Sequence, residues 1–167
     1  MTRTIMFILG LAVAAPAAFA QAPAADLEKA LSAAPARDRD AATVIKWNPD
    51  HTYETLRKGT NSWVCYDQSG LPSEQPYSVQ CTSIKNLERV AQNRKFETIE
   101  DRKERQAAID KAEADGTRIK PEYGSVFITV SGKDASATRR HMTVAVPGAT
   151  TASTGLPDNG KMGGAWI

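Results

Sequence analysis

The chain has little of what catalytic and metal sites are usually made from. Its 167 residues include two histidines and two cysteines, with neither an H-x-x-x-H nor a C-x-x-C spacing, so no metal site is expected. Neither G-x-S-x-G nor S-x-x-K occurs in the context that a serine nucleophile needs. Charge of one sign is lacking too. Lys and Arg number 21 against 19 Asp and Glu, a formal net charge of +2, which gives no electrostatic reason to expect a nucleic-acid partner or an anionic membrane. Beyond the N-terminus no apolar run is long enough to span a bilayer, so no membrane span is expected in the mature chain.

What is present begins with "MTRTIMFILGLAVAAPAAFAQA". Arg3 supplies a basic start, Ile5 to Ala15 form a short apolar stretch, and Ala18-Phe19-Ala20 offers small residues where a signal peptidase reads them. Residues 1–20 are therefore expected to be a signal peptide, the mature protein to start near Gln21, and its location to be periplasmic or secreted. In such an oxidising compartment Cys65 and Cys81 are expected to form one disulfide. The segment between them, "YDQSGLPSEQPYSVQ", has no regular period and reads as an irregular loop. Closing a loop of this length constrains the unfolded chain by about 3 kcal/mol.

Residues 21–41 are rich in Ala and Pro and read as a weakly ordered tether, with a short helix over "ADLEKALSAA" capped by Asp26. Residues 42–167 read as one domain. "ATVIKW" is a strand ending at Asn48-Pro49-Asp50, and "TYETLRKGTNSWVCYD" reads as a hairpin turning at Gly59-Thr60-Asn61. Ile84, Leu87, Val90 and Ala91 recur at helical spacing, and a second, charged helix should end at Gly116. "SVFITVSG" and "RRHMTVAVPG" alternate at period two, with Val126, Ile128 and Val130 on one face and Met142, Val144 and Val146 on one face. The fold class that follows is α+β: a small antiparallel sheet with one or two inserted helices and a single disulfide.

Two places could carry chemistry. His51, in "NPDHTYE", reads as a solvent-exposed turn residue. Arg139, Arg140 and His141 open a strand and could bind an anionic group, or could simply keep a sheet edge soluble. Tyr53, Trp63, Tyr66 and Tyr77 lie around the hairpin and the cysteine loop and read as core packing more readily than as a sugar platform.

The run "ETLRKGTNSWVCYD", a Pro-rich loop to a second Cys, "RRHMTVAVPGATTASTGLPDN" and "GGAWI" together resemble a family of uncharacterised secreted bacterial proteins. That family is marked by a signal peptide, an L-R-x-G-T-N-x-W-x-C hairpin and a G-G-x-W-[IV] strand. The resemblance covers most of residues 42–167 and implies export and an α+β fold, but no activity, cofactor or catalytic residue. It also implies a further G-T-x-x-A-H-[IL]-M segment after the last strand. "GGAWI" is accordingly expected to be a buried strand of a domain that is incomplete at its C-terminus. A neighbouring strand would then carry an exposed apolar strip open to strand-mediated self-association.

The functional expectation is a non-enzymatic exported domain that binds a small ligand, a glycan or an envelope component, with no cofactor. The alternative is a hydrolase or metal-assisted enzyme using His141 with a partner group missing from this chain.

Overall fold

A computed structural model describes residues 24–167. The expected signal peptide and the mature start at Gln21 lie outside these residues. The described chain folds as an α+β domain around a six-stranded, mostly antiparallel sheet. In chain order its elements are α1 (Ala24–Leu31), β1 (Thr43–Trp47), β2 (Tyr53–Arg57), β3 (Trp63–Asp67), β4 (Tyr77–Ser83), α2 (Leu87–Glu97), α3 (Arg102–Ala114), β5 (Val126–Gly132), β6 (Thr138–Val144) and the single turn α4 (Thr151–Thr154). The strands lie in the order β2-β1-β3-β4-β5-β6. Both helices expected after the cysteine loop are present, separated at Asp101, whose carboxylate accepts from Lys103 N (2.8 Å) and Glu104 N (2.9 Å) and caps α3.

The expected hairpin between β2 and β3 is replaced by a different connection. β2 pairs antiparallel with β1, and β3 lies on the other side of β1, parallel to it, with Thr43 opposite Val64 and Val44 opposite Cys65. Gly59-Thr60-Asn61 is not a tight turn but a crossover past the start of β1. Thr60 N and Asn61 N both donate to Ala41 O, at 2.8 and 3.1 Å. A Cβ on Gly59 would lie 2.2 Å from that same oxygen, so only glycine lets the two backbones approach this closely. The tight turn lies earlier, at Asn48 to Thr52. There Asp50 accepts from both the backbone N–H and the hydroxyl of Thr52 (3.0 and 2.6 Å).

The disulfide is formed. Cys65 and Cys81 stand directly opposite each other on the antiparallel strands β3 and β4, with Cα atoms 4.1 Å apart. Both are fully buried, so the bond joins two central strands under the core.

Residues 24–34 are not a loose tether. Ala30, Leu31, Ala33 and Ala34 are buried, and with Leu27 they pack on Val44, Cys65, Val79, Cys81 and Ile128. Alanine-rich composition hides this role, because small side chains give a weak periodic signal while allowing a helix to sit close on a sheet. Asp26 lies within the first turn of α1, not before it as a cap. On the opposite face, Leu87 and Val90 of α2 cover Ile45, Trp47, Val64 and Tyr66, with Phe127 alongside. The expected aromatic cluster is thereby divided: Trp63 and Tyr77 join the α1 side, Tyr66 the α2 side, and Tyr53 is 45% exposed.

β5 and β6 form the expected antiparallel pair, with Val126 opposite Val144 and Ile128 opposite Met142. "GGAWI" does not form the expected buried strand. Gly163 and Gly164 take φ of +72° and +79°, which bends the chain instead of extending it. Trp166 is 52% exposed, and Ile167 N donates back to Pro157 O at 3.0 Å.

Candidate ligand cleft

The residues singled out on β6 do not converge. Alternation along the strand sends Arg140 to the α1 face, where its guanidinium donates to Ala33 O (3.1 Å) and Ser32 O (3.3 Å) and so satisfies carbonyls just past the end of α1. Arg139 and His141 occupy the other face and are exposed. Arg140 thus pins the helix to the sheet, and no ion pair or side-chain hydrogen bond of His141 occurs among the described residues.

A site that sequence reasoning missed lies where β1 and β3 separate. The strands are paired at Thr43 and Val44, and a bulge at Val44/Ile45 redirects the rest of β1. Beyond it opens a cleft of about 230 Å³, lined by Asp26 and Ala30 of α1, Lys46 and Trp47 of β1, Asp67 of β3 and Arg94 of α2, among others. Trp47 is its hub. The Tyr53 and Tyr66 rings meet the indole edge-on, with centroids 5.5 and 5.7 Å away, and the Arg94 guanidinium lies over the ring at 5.2 Å.

Polar atoms around this hub are left without partners. Trp47 is only 8% exposed, yet its Nε1 has no hydrogen-bond partner among the described residues; nor do the buried Nε and Nη1 of Arg94 or Nδ1 of His51. A buried donor left unsatisfied costs about 1–3 kcal/mol, so a cluster of them marks a site for an acceptor. Burial holds the Arg94 guanidinium below its ordinary pKa, opposed by Glu97, Tyr66 and Asp67. His51, expected on the surface, is half-buried at φ +66°, and burial followed by the charges of Arg94 and Lys95 lowers its pKa. The shift favours the neutral imidazole.

Next to this region Glu74, Glu97, Arg105 and Arg118 line a second concavity of about 280 Å³. Burial, then the neighbouring Glu74, pushes the Glu97 carboxyl up to about 7. Arg118 is held structurally. Its two terminal nitrogens donate to Gln92 Oε1 (2.8 Å) and Asn93 Oδ1 (2.6 Å), and it stacks over Phe96 at 5.0 Å.

The only sequence signal for the cleft was the pairing of Trp47 with the Asn48-Pro49-Asp50 turn, which places an aromatic at a strand end. Nothing in the spacing connects it with Arg94. Among the described residues no group of three or more His, Cys, Asp or Glu could hold a metal ion, and no helix is long and apolar enough to cross a membrane. Comparison with family models, curated proteins and solved structures finds no match to this chain.

Proposed function

We propose that the protein is an exported, non-enzymatic binding domain whose cleft between β1 and β3 takes a small ligand. One observation carries the reading: Trp47 and Arg94, whose buried nitrogens have no hydrogen-bond partner among the described residues, both line the same concavity. The signal-peptide pattern of residues 1–20 and the disulfide in the core support export. Trp47 does not suit a glycan platform, since stacking on a sugar needs an exposed ring face and this one lies under Arg94. No observation favours an enzyme built on His141, which stands exposed on an edge strand with no acid bonded to it among the described residues.

A thermal-shift screen against small acids, amines and sugars tests binding. A compound that raises the melting temperature of the parent, and raises it much less in Arg94→Gln, is the expected result. A panel without effect on the parent removes the proposal. Export is tested separately, by N-terminal sequencing of protein recovered from the periplasm of a bacterial host. A chain starting near Gln21 is expected, and one starting at Met1 contradicts it.

A further inference from the structure

We infer that the cleft is selective for a small organic acid carrying a single carboxylate, an inference that rests on the binding reading above. The unpartnered groups of Trp47 and Arg94 are all N–H donors, so the missing partner is an acceptor able to take several hydrogen bonds. A carboxylate does this, and it is the anion that guanidinium groups recognise best. Size and lining exclude a bare inorganic ion as the best fit. A volume of about 230 Å³ with Ala30, Ile45 and Leu56 among its walls has room for an organic body and apolar surface to receive it.

Charge fixes the number of carboxylates. Lys29 pairs with Asp67 at 2.5 Å, so these two cancel at the rim. Among the lining residues Arg94 and Lys46 then stand against Asp26, one more cation than anion, with Glu97 acting on Arg94 from outside the lining. A monoanion neutralises that surplus. A second negative charge would be forced against Asp26, which disfavours dicarboxylates and phosphate. In the free protein Arg94 rests on the indole face with Nε and Nη1 covered. Binding turns the guanidinium from the ring into the cleft, exchanging a cation–π contact for charge-assisted hydrogen bonds.

The indole N–H of Trp47 reports on this directly. With the ¹⁵N-labelled full chain, Trp47, Trp63 and Trp166 each give one indole cross-peak, assigned by Trp47→Phe. Titration with butyrate is expected to move the Trp47 peak saturably and leave the Trp63 and Trp166 peaks in place, while butylamine leaves all of them unmoved. Succinate and phosphate should bind at least about tenfold more weakly than butyrate, and Arg94→Gln should weaken butyrate about tenfold, with Arg94→Lys between the two. Unchanged Trp63 and Trp166 peaks in these variants verify that they are folded. If succinate or phosphate binds as tightly as butyrate, selectivity for one charge is wrong. If carboxylates leave the Trp47 peak unmoved while an amine or a sugar moves it, the ligand class is wrong and the binding reading stands. If an internal water satisfies these nitrogens, no compound moves the peak and both readings fall.

Discussion

Cys65 and Met142 occupy equivalent places in the pattern: apolar positions on alternating strands, both directed to the α1 face of the sheet. Cys65 is fully buried and Met142 is 57% exposed. The difference is the cover. An eight-residue helix is about 12 Å long, enough to lie across two or three strands spaced roughly 4.8 Å apart. α1 rests on β1, β3 and β4, where α2 also closes the opposite face, and it does not extend over β6. One end of the sheet is thus a closed core with a cleft at its margin. The other ends in the edge strand β6, whose apolar residues Met142 and Val144 face solvent. Strand periodicity says which face a residue takes, and only the third dimension says whether anything lies above it.

The sharpest way to break this comparison is to remove the staple from the closed end. Replacing both Cys65 and Cys81 with alanine releases a loop closed across a sequence separation of 16. The expected loss is about 3–4 kcal/mol, from the unfolded-state entropy of such a loop with a small cavity term added. Urea unfolding of parent and double variant measures it. Equal midpoints would mean that the central strands owe nothing to the bond.

Next in size is Leu31→Ala, which asks whether α1 is cover or tether. Leu31 is 6% exposed within the main core cluster, so its truncation should cost about 2.5 kcal/mol. A tether would show no change. Chemical denaturation decides between these, and a null result would return residues 24–34 to the linker class.

These two tests also mark what could be read from the chain alone. The fold class, the disulfide, the inserted helices and the β5–β6 pair were legible, because each depends on local period or compartment chemistry. The β2–β3 hairpin was misread because Gly59-Thr60-Asn61 has turn composition, whereas its role is to hold the β2–β3 crossover against Ala41, a contact between residues distant in sequence. α1 was undervalued because alanine gives packing without periodic hydrophobicity. "GGAWI" was overvalued because paired glycines before an aromatic suit a close-packed strand as well as the left-handed bend observed. The cleft escaped altogether, since Trp47 and Arg94 come from β1 and α2 and meet only in the fold. Arg140 could be seen to matter as a cation, but its carbonyl partners lie more than a hundred positions earlier.

A smaller effect probes what enclosure does to charge. Glu97 titrates at about 7 in the folded protein because of burial and Glu74, with Arg94, Arg105 and Arg118 pulling the other way. In the unfolded chain the carboxyl titrates near 4.5. Between these values the folded state binds the extra proton, so stability is greatest below about pH 4.5 as far as this group is concerned, and declines as pH rises toward about 7. Allowing for partial solvent access, the decline is on the order of 1–2 kcal/mol. Glu97→Gln should be the more stable form at pH 8, and the difference between the two stability–pH profiles isolates this group from His51. Parallel profiles would show that Glu97 is ionised and solvated in the folded state.

The smallest expected effect is at the open end. Met142→Thr with Val144→Thr replaces two residues that are 57% and 51% exposed on the edge strand. Threonine is β-branched and favours an extended backbone, so the strand itself should persist. Little apolar area is returned to water by the change, and unfolding should stay within about 0.5 kcal/mol of the parent. The same substitutions made at a covered position of the α1 face, Val79→Thr, would place a hydroxyl in the closed core and cost far more, which is the contrast drawn as an experiment. A loss of about 2 kcal/mol or more in the β6 variant would show that the strip is covered in solution by another surface. Repeating the melts over a hundredfold range of protein concentration identifies that surface. If a second copy provides it, the parent's melting temperature rises with concentration and the variant's does not.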